Sequence, residues 1–104
     1  NDMQVETAPK ADKVGKDGRV PVSFFYGLIV YMYLEDEMVP PHIHVQYLDQ
    51  EACLDFDGNL LEGEIDRDAQ LLAAAWCLIH CNELDANWKL CQQNLMPFQI
   101  DPLR

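Results

Sequence analysis

The hydrophobic positions of the chain begin to follow a pattern at residue 24. Residues 24–34 are apolar on both alternating faces and rich in aromatic and β-branched side chains, which is typical of a central strand covered on both sides. Residues 43–48 and 51–56 alternate between apolar and polar positions, as strands with one solvated face do. Residues 60–65 form a shorter segment of the same kind. Short polar connections separate these segments, so we expect an antiparallel meander of three to four strands.

A helical repeat replaces this alternation after Asp66. The Asp66 carboxylate is a suitable N-cap, and no proline or glycine interrupts residues 67–93. Apolar and aromatic positions in this stretch recur at helical spacing in one stripe. We therefore predict one helix of up to about seven turns across the sheet, with a break near residues 82–85. The expected fold class is α+β, with the meander packed against one long C-terminal helix.

Charge divides the chain at Pro21. Residues 1–20 are polar, show no periodicity and carry four acids and four bases, so we predict a disordered tail. Residues 21–104 are predicted to form a single domain, and they hold 14 acids and three bases, the whole net charge of −11. A surface this acidic repels phosphate, so no direct nucleic-acid binding is expected. It favours a basic protein partner, or imitation of a nucleic acid towards a nucleic-acid-binding protein.

Cysteine usage and hydropathy indicate a cytoplasmic protein. The four cysteines show no C-x-x-C spacing, and we expect reduced thiols that pack mostly as small apolar side chains. We find neither a secretory leader nor an apolar run near the ~18 residues of a membrane span, so no membrane association is expected. The exposed edges of a meander are compatible with a homodimer.

The candidate chemistry centres on residues 39–45, which read Val-Pro-Pro-His-Ile-His-Val. Pro40 and Pro41 fix φ and lack an N–H, so they force a turn or an extended run. Side chains alternate along a strand, so His42 and His44 share one face at its entrance. Two imidazoles beside a rigid turn suit a binding or acid–base site, and they equally suit the polar surface of a sheet.

The predicted helix adds further candidates. His80 and Glu83 lie within the apolar stripe, between Trp76 and Trp88, where polar groups need partners or line a pocket. Three interpretations are open: structural histidines, a binding or acid–base site, and a metal site. The catalytic candidates are His42, His44, His80 and Glu83. The predicted binding residues are Pro40, Pro41, His42, His44, Trp76, His80 and Trp88.

Motifs for cofactors and nucleophiles are missing from the sequence. There is no glycine-rich phosphate loop, and Ser23 is the only serine, so a serine nucleophile is not expected. Cys77, His80 and Cys81 lie at i, i+3 and i+4 and carry zinc-type ligand atoms. However, neither C-x-x-C nor H-E-x-x-H occurs. We expect no cofactor and no metal; the metal alternative uses His42, His44 and His80.

Several segments together resemble a known family. The resemblance rests on Tyr26-Gly27, Tyr31-Met32-Tyr33, Pro40-Pro41-His42-Ile43-His44-Val45, Leu61-Glu62-Gly63, Trp76, His80, Glu83-Leu84, Trp88 and Ile100-x-Pro102-Leu103. These residues resemble a family of small bacterial proteins with a Pro-Pro-His-x-His motif, catalogued as a domain of unknown function (DUF 4160 type). The resemblance covers about residues 21–103. It implies a compact α+β protein, often encoded beside another small protein in a toxin–antitoxin-like arrangement, with no established activity.

The resemblance carries over to His42, His44, His80, Glu83 and Trp88. Many members have a histidine where this chain has Met38, which argues against a metal site. Three functions are open. The first is a protein-binding component of a toxin–antitoxin-like two-gene system, the second is a small hydrolase or nuclease-like toxin that uses three histidines, and the third is an acidic nucleic-acid mimic.

Overall fold

A computed structural model describes residues 18–104, and residues 1–17, most of the predicted tail, lie outside the described residues. In the described part, five strands precede two helices: β1 (Arg19–Phe25), β2 (Leu28–Tyr33), β3 (His42–Tyr47), β4 (Gln50–Asp55), β5 (Leu60–Glu64), α1 (Arg67–Ile79) and α2 (Cys81–Gln92). The strands form one antiparallel sheet in the order β1-β2-β3-β4-β5. The α+β class is confirmed. The sheet has one or two strands more than expected, and two helices replace one.

The additional strand comes from the apolar segment that the sequence predicts as one strand. A turn at Tyr26 and Gly27, with φ of 48° and 81°, divides this segment between β1 and β2. Positive φ at both central residues of a two-residue turn matches the twist of a hairpin. The prediction of one continuous strand is therefore wrong, because two consecutive apolar strands give the same pattern as one. β1 begins at Arg19, two residues before the predicted domain boundary.

The predicted long helix is two helices that meet at His80. His80 is both the C-cap of α1 and the N-cap of α2, with φ −110° and ψ 24°. Its N–H still donates to the Trp76 carbonyl at 3.0 Å, and its carbonyl accepts from the Leu84 N–H at 2.9 Å. The break comes two residues before the expected position. No proline or glycine marks it, so the helical spacing of apolar residues does not reveal it.

The hydrophobic core lies between one face of the sheet and the two helices. β2 and β3 supply its centre through the side chains at alternate positions. The fully buried core includes Leu28, Val30, Met32, Ile43, Val45, Leu54, Ala73, Trp76, Cys77, Leu84 and Cys91. Within residues 18–104 both helices pack on this core face, and His44, which alternates with Ile43 and Val45 along β3, points to the opposite face.

The C-terminal segment docks against the helices through two buried polar side chains. Trp76 Nε1 donates to the Asp101 carbonyl at 2.8 Å. Asn87 Nδ2 donates to the Phe98 carbonyl at 2.8 Å, and Asn87 Oδ1 accepts from the Phe98 N–H at 2.9 Å. Each pairing satisfies a group that would otherwise be buried without a partner.

Three of the four cysteines are buried, and all four are free thiols. Cys77 and Cys91 pack in the core. Burial raises the pKa of Cys77 to about 12, with a further contribution from Asp55, and the pKa of Cys91 to about 11. Cys81 at the start of α2 is partly exposed.

Substitution of Gly63 tests the close approach of β4 and β5. A Cβ at Gly63 would lie 2.3 Å from the Glu51 carbonyl oxygen and 2.9 Å from the Ala52 Cα. Gly63→Ala is therefore expected to lower the free energy of unfolding by more than ~2 kcal/mol. Gly27→Ala is the matched control, since its φ is similar but its nearest contact is the Tyr47 ring at 3.5 Å. It should cost only ~1–2 kcal/mol. Equal losses in urea denaturation would contradict the predicted backbone clash.

Thiol reactivity tests the placement of the cysteines. Because the thiolate is the reactive form, DTNB at about pH 8 should modify one thiol of the native chain rapidly, that of Cys81. Cys77 should react slowly, since at this pH its raised pKa leaves almost no thiolate and its side chain is inaccessible. Cys81→Ser is expected to remove the fast phase. A fast phase of two or more thiols would show that at least one of the three buried cysteines is more accessible than described.

Candidate functional site

The candidate site lies where β3 begins, on the sheet face opposite the hydrophobic core, and α2 contacts one edge of it. Across this face the antiparallel register places Tyr31 opposite His44, His44 opposite Cys53, and Cys53 opposite Glu62. Side chains of directly opposite residues on one face are in contact distance. The fold therefore assembles a phenol, an imidazole, a thiol and a carboxylate into one row across four strands.

The loop between β2 and β3, residues 34–41, is fixed to the C-terminal end of α2. The Glu35 N–H donates to the Cys91 carbonyl at 2.9 Å. Gln92 Nε2 donates to the Asp36 carbonyl at 2.9 Å. These bonds satisfy a carbonyl at the helix end, where intrahelical partners are missing, and they hold the backbone of Asp36 in place.

The Asp36 carboxylate is oriented by the same loop. Its Oδ1 accepts from the Met38 N–H at 3.0 Å, an Asx-type local bond. Its Oδ2 is left to face the two histidines. The antiparallel connection thus brings a carboxylate from before the double proline onto the imidazoles after it.

Three nitrogen and oxygen atoms converge at this point. Asp36 Oδ2 lies 2.9 Å from His42 Nε2 and 3.3 Å from His44 Nε2. The two Nε2 atoms lie 3.2 Å apart. The side chains are 12% exposed for Asp36, 0% for His42 and 19% for His44. The cluster is therefore closed on the His42 side and accessible on the side of Asp36 and His44.

The backbone fixes the tautomer of His42. His42 Nδ1 lies 2.9 Å from the Pro40 carbonyl oxygen, and because a carbonyl only accepts, Nδ1 carries the hydrogen and donates it. In the neutral ring, Nε2 then presents its lone pair to the cluster. The Trp88 ring, with its centroid 5.2 Å away, packs against the imidazole. The peptide bond Val39–Pro40 that leads into this turn is cis.

His44 is held by two tyrosines and a thiol. Its ring stacks on Tyr31 at a centroid distance of 5.4 Å and an angle of 14°, and it lies 4.5 Å from the Tyr33 ring. Cys53 Sγ lies 3.1 Å from His44 Nδ1. Burial lowers the pKa of His44, the hydrogen bond to Asp36 opposes this shift, and the charge of His42 lowers it further. His44 is therefore neutral at pH 7.

Cys53 contacts His44 as a protonated thiol. Burial raises the pKa of the Cys53 thiol to about 11, and Glu62 and Asp36 add to the shift. The protonated thiol faces His44 Nδ1, and because a thiol can donate or accept, this contact is compatible with either tautomer of the ring. The Asp36 carboxylate oxygen and the two Nε2 atoms are groups that can share a proton or a cation.

A cavity of about 250 Å³ adjoins His44. It is slightly smaller than an ordinary ligand pocket, and it is lined by Tyr31, His44, Glu51, Ala52, Cys53, Glu62 and Gly63. The Tyr31 hydroxyl donates to Glu51 Oε1 at 3.4 Å, and burial, followed by the charge of Glu51, raises the pKa of Tyr31 to about 12. The cavity therefore has an acidic rim, formed by the exposed Glu51 and Glu62, and an aromatic inner wall, formed by the buried Tyr31.

His80 and Glu83 lie elsewhere. His80 Nδ1 pairs with Glu83 Oε1 one turn along the chain, and the His80 ring packs on Trp76. His80 also lines a second cavity of about 260 Å³ beside residues 101–104. Within residues 18–104, no hydrogen bond, ion pair or ring contact joins His80 to His42 or His44. The structure brings the two strand histidines together and does not bring the helix histidine to them, because this part of the apolar stripe faces the C-terminal segment.

Of the other predicted binding residues, three lie at the histidine cluster and one lies in the core. Trp88 packs on His42, and Pro40 supplies the carbonyl that fixes the ring. Pro41 is exposed beside them. Trp76 is fully buried in the core and bonds to the C-terminal segment.

Sequence analysis did not find Asp36, Tyr31 or Cys53. Asp36 lies in the run Glu35-Asp36-Glu37, which is indistinguishable in sequence from a solvated turn. The available signal was the topology. When two consecutive strands pair antiparallel, the residues that follow the first strand lie close to those that begin the second. Cys53 and Tyr31 follow from strand register, and register depends on turn positions that the sequence left open.

Comparison with known proteins agrees with the resemblance noted in the sequence. A family model described as Domain of unknown function (DUF4160) matches residues 27–89, more than half of the chain and all of the Asp36, His42, His44 and Cys53 cluster. Neither the curated proteins nor the solved structures give a significant match. No helix within residues 18–104 is long and apolar enough to cross a membrane. The chain belongs to this domain-of-unknown-function family.

Proposed function

We propose that this protein is a protein-binding component of a toxin–antitoxin-like two-gene system. The observation that carries the proposal is an apolar surface on α1. Leu71, Leu78 and Ile79 are 55%, 61% and 64% exposed, and with Ala75 they recur on one side of the helix at i, i+4, i+7 and i+8. We call these four residues the α1 apolar face. An uncovered apolar helix face is characteristic of a protein contact.

The charge of the domain indicates what kind of partner this face accepts. Residues 21–104 carry 14 acids against three bases, and exposed Asp68 and Glu83 lie in sequence on either side of the face. A basic amphipathic helix satisfies both the apolar contact and the charge. A second copy of this chain would bring two acidic surfaces together, so a basic protein is favoured over a homodimer.

The resemblance to the family suggests which protein the partner is. Since such proteins are often encoded beside another small protein, we propose that the product of the adjacent gene is the basic partner and that the two proteins meet in the cytoplasm. An acidic domain that imitates a nucleic acid would also bind a basic protein through opposite charges. The α1 apolar face favours the first alternative, because a protein that recognises only phosphates has no use for an apolar contact.

Binding of the adjacent gene product, measured by calorimetry, tests the proposal. The double variant Leu78→Ser/Ile79→Ser should weaken binding at least about tenfold, since two exposed apolar side chains are lost from the contact. Both positions are exposed, so the free energy of unfolding should change by no more than ~0.5 kcal/mol each. Binding should also weaken with rising salt, because opposite charges meet across the interface.

The control is Leu48→Ser, which removes an equally apolar side chain that is 76% exposed in the turn between β3 and β4. This variant should bind the partner as the unaltered protein does. Unchanged binding by the double variant would contradict the proposal. Failure of the unaltered protein to bind, or elution of a self-dimer at twice its 12.0 kDa mass, would contradict it as well.

A second candidate function is that of a small hydrolase. The specific observation in its favour is a buried carboxylate–imidazole cluster beside the 250 Å³ cavity, since neutral histidine is the usual general base near pH 7. His80 is not part of this version of the site. The acidic rim disfavours a nucleic-acid substrate. On this account His44→Ala removes a toxic phenotype in cells and His80→Ala preserves it, and equal effects of the two variants would argue against it.

A further inference from the structure

The spacing of the three converging atoms matches that of ligands around one metal ion. Transition metals bind imidazole nitrogen and carboxylate oxygen at about 2.1 Å, which places neighbouring ligands about 3.0 Å apart on an octahedral face and about 3.4 Å apart on a tetrahedral one. The three distances here are 2.9, 3.2 and 3.3 Å. An ion about 1 Å out of their plane lies about 2.1 Å from each of them.

We propose that Asp36 Oδ2, His42 Nε2 and His44 Nε2 bind one divalent transition-metal ion. A carboxylate oxygen and two imidazole nitrogens that meet within 3.3 Å can each offer a lone pair to one cation. When the metal takes the lone pair of His44 Nε2, the hydrogen of that neutral ring lies on Nδ1.

The neighbouring groups are arranged as they are around metal ligands. A ligating histidine usually donates its other N–H to a carbonyl or a similar acceptor, which fixes the ring. His42 does so to the Pro40 carbonyl at 2.9 Å. His44 Nδ1 faces Cys53 Sγ at 3.1 Å, which accepts the Nδ1 hydrogen once the metal occupies Nε2. The second oxygen of Asp36 is held by the Met38 backbone amide, a bond that any residue with a backbone N–H can make at this position.

The ligand set identifies the class of metal. Two imidazoles and one carboxylate suit Zn²⁺, Fe²⁺ and related ions, whereas Ca²⁺ and Mg²⁺ prefer all-oxygen sites. Three protein ligands on one side leave positions for water or a substrate, as in catalytic rather than structural sites. The accessible edge of the cluster, at Asp36 and His44, is where those positions open.

The Cys53 thiol is assigned as an orienting group. His42, His44 and Cys53 offer ligand atoms within 4.8 Å of one another, a wider spacing than the 3.3 Å maximum of the set with Asp36. Cys53 contacts Nδ1 of His44, not the Nε2 edge that meets Asp36 and His42. A single ion therefore takes the Asp36 oxygen, and the sulfur stays off the metal, in contact with His44 Nδ1.

Titration of the untagged, metal-free protein with Zn²⁺ and with Co²⁺ tests the site. We expect one equivalent of either ion to bind, with visible Co²⁺ bands and no thiolate charge-transfer band in the near ultraviolet. Asp36→Asn and His44→Ala should each weaken the affinity at least about tenfold. Zn²⁺ should also raise the melting temperature of the unaltered protein and not that of Asp36→Asn.

Matched controls separate a built site from the general acidity of the surface. Glu37→Gln removes a neighbouring exposed carboxylate, and His80→Ala removes a histidine that pairs with Glu83; both should bind the metal as the unaltered protein does. His42→Ala is not used because this side chain is fully buried, and its loss risks unfolding. Circular dichroism of each variant confirms that it is folded.

Three results would overturn the proposal: no saturable binding, equal weakening by Glu37→Gln and Asp36→Asn, or a thiolate band that Cys53→Ser abolishes. The last result would establish the set with sulfur instead. Since the α1 apolar face lies outside the site, Leu78→Ser/Ile79→Ser should leave metal binding unchanged. The proposal of a metal site and the proposal of a protein partner are therefore tested independently.

Discussion

The contact between the Asp36 carboxylate and two imidazoles is the interaction on which the site depends. It holds the loop before the double proline against the start of β3, and the same loop is bonded to the end of α2 through Glu35 and Gln92. α2 in turn packs Leu84 and Cys91 into the core. The position of the carboxylate is therefore set by the packing of the whole domain and not by the loop alone.

A cluster of this kind contributes little to the stability of the fold. Charged groups lose hydration on burial, and replacing them by packed apolar side chains is often neutral or favourable for folding. The domain nevertheless brings a carboxylate, two imidazoles, a phenol and a thiol into contact at the start of β3. Binding of a cation gives this arrangement a physical reason, because the three converging atoms are all of the kinds that bind transition metals.

The sequence was informative where side-chain alternation decides the structure. The shared face of His42 and His44 and the helical character of residues 67–93 followed from periodicity alone. Periodicity fails where two elements of one type adjoin, as at the Tyr26-Gly27 turn between two apolar strands and at His80 between two helices. Asp36 could not be found because local sequence does not distinguish a solvated acidic turn from a carboxylate folded onto the next strand.

Two surfaces with different chemistry result from this fold. The Asp36–His42–His44 cluster lies at the start of β3, and the α1 apolar face lies on the first helix. The measurement that tests the central claim most directly is anomalous diffraction from crystals of the protein grown with Zn²⁺. The account predicts one strong peak about 2.1 Å from Asp36 Oδ2 and from Nε2 of His42 and His44. A peak on Cys53 Sγ, or only scattered peaks on exposed carboxylates, would contradict it.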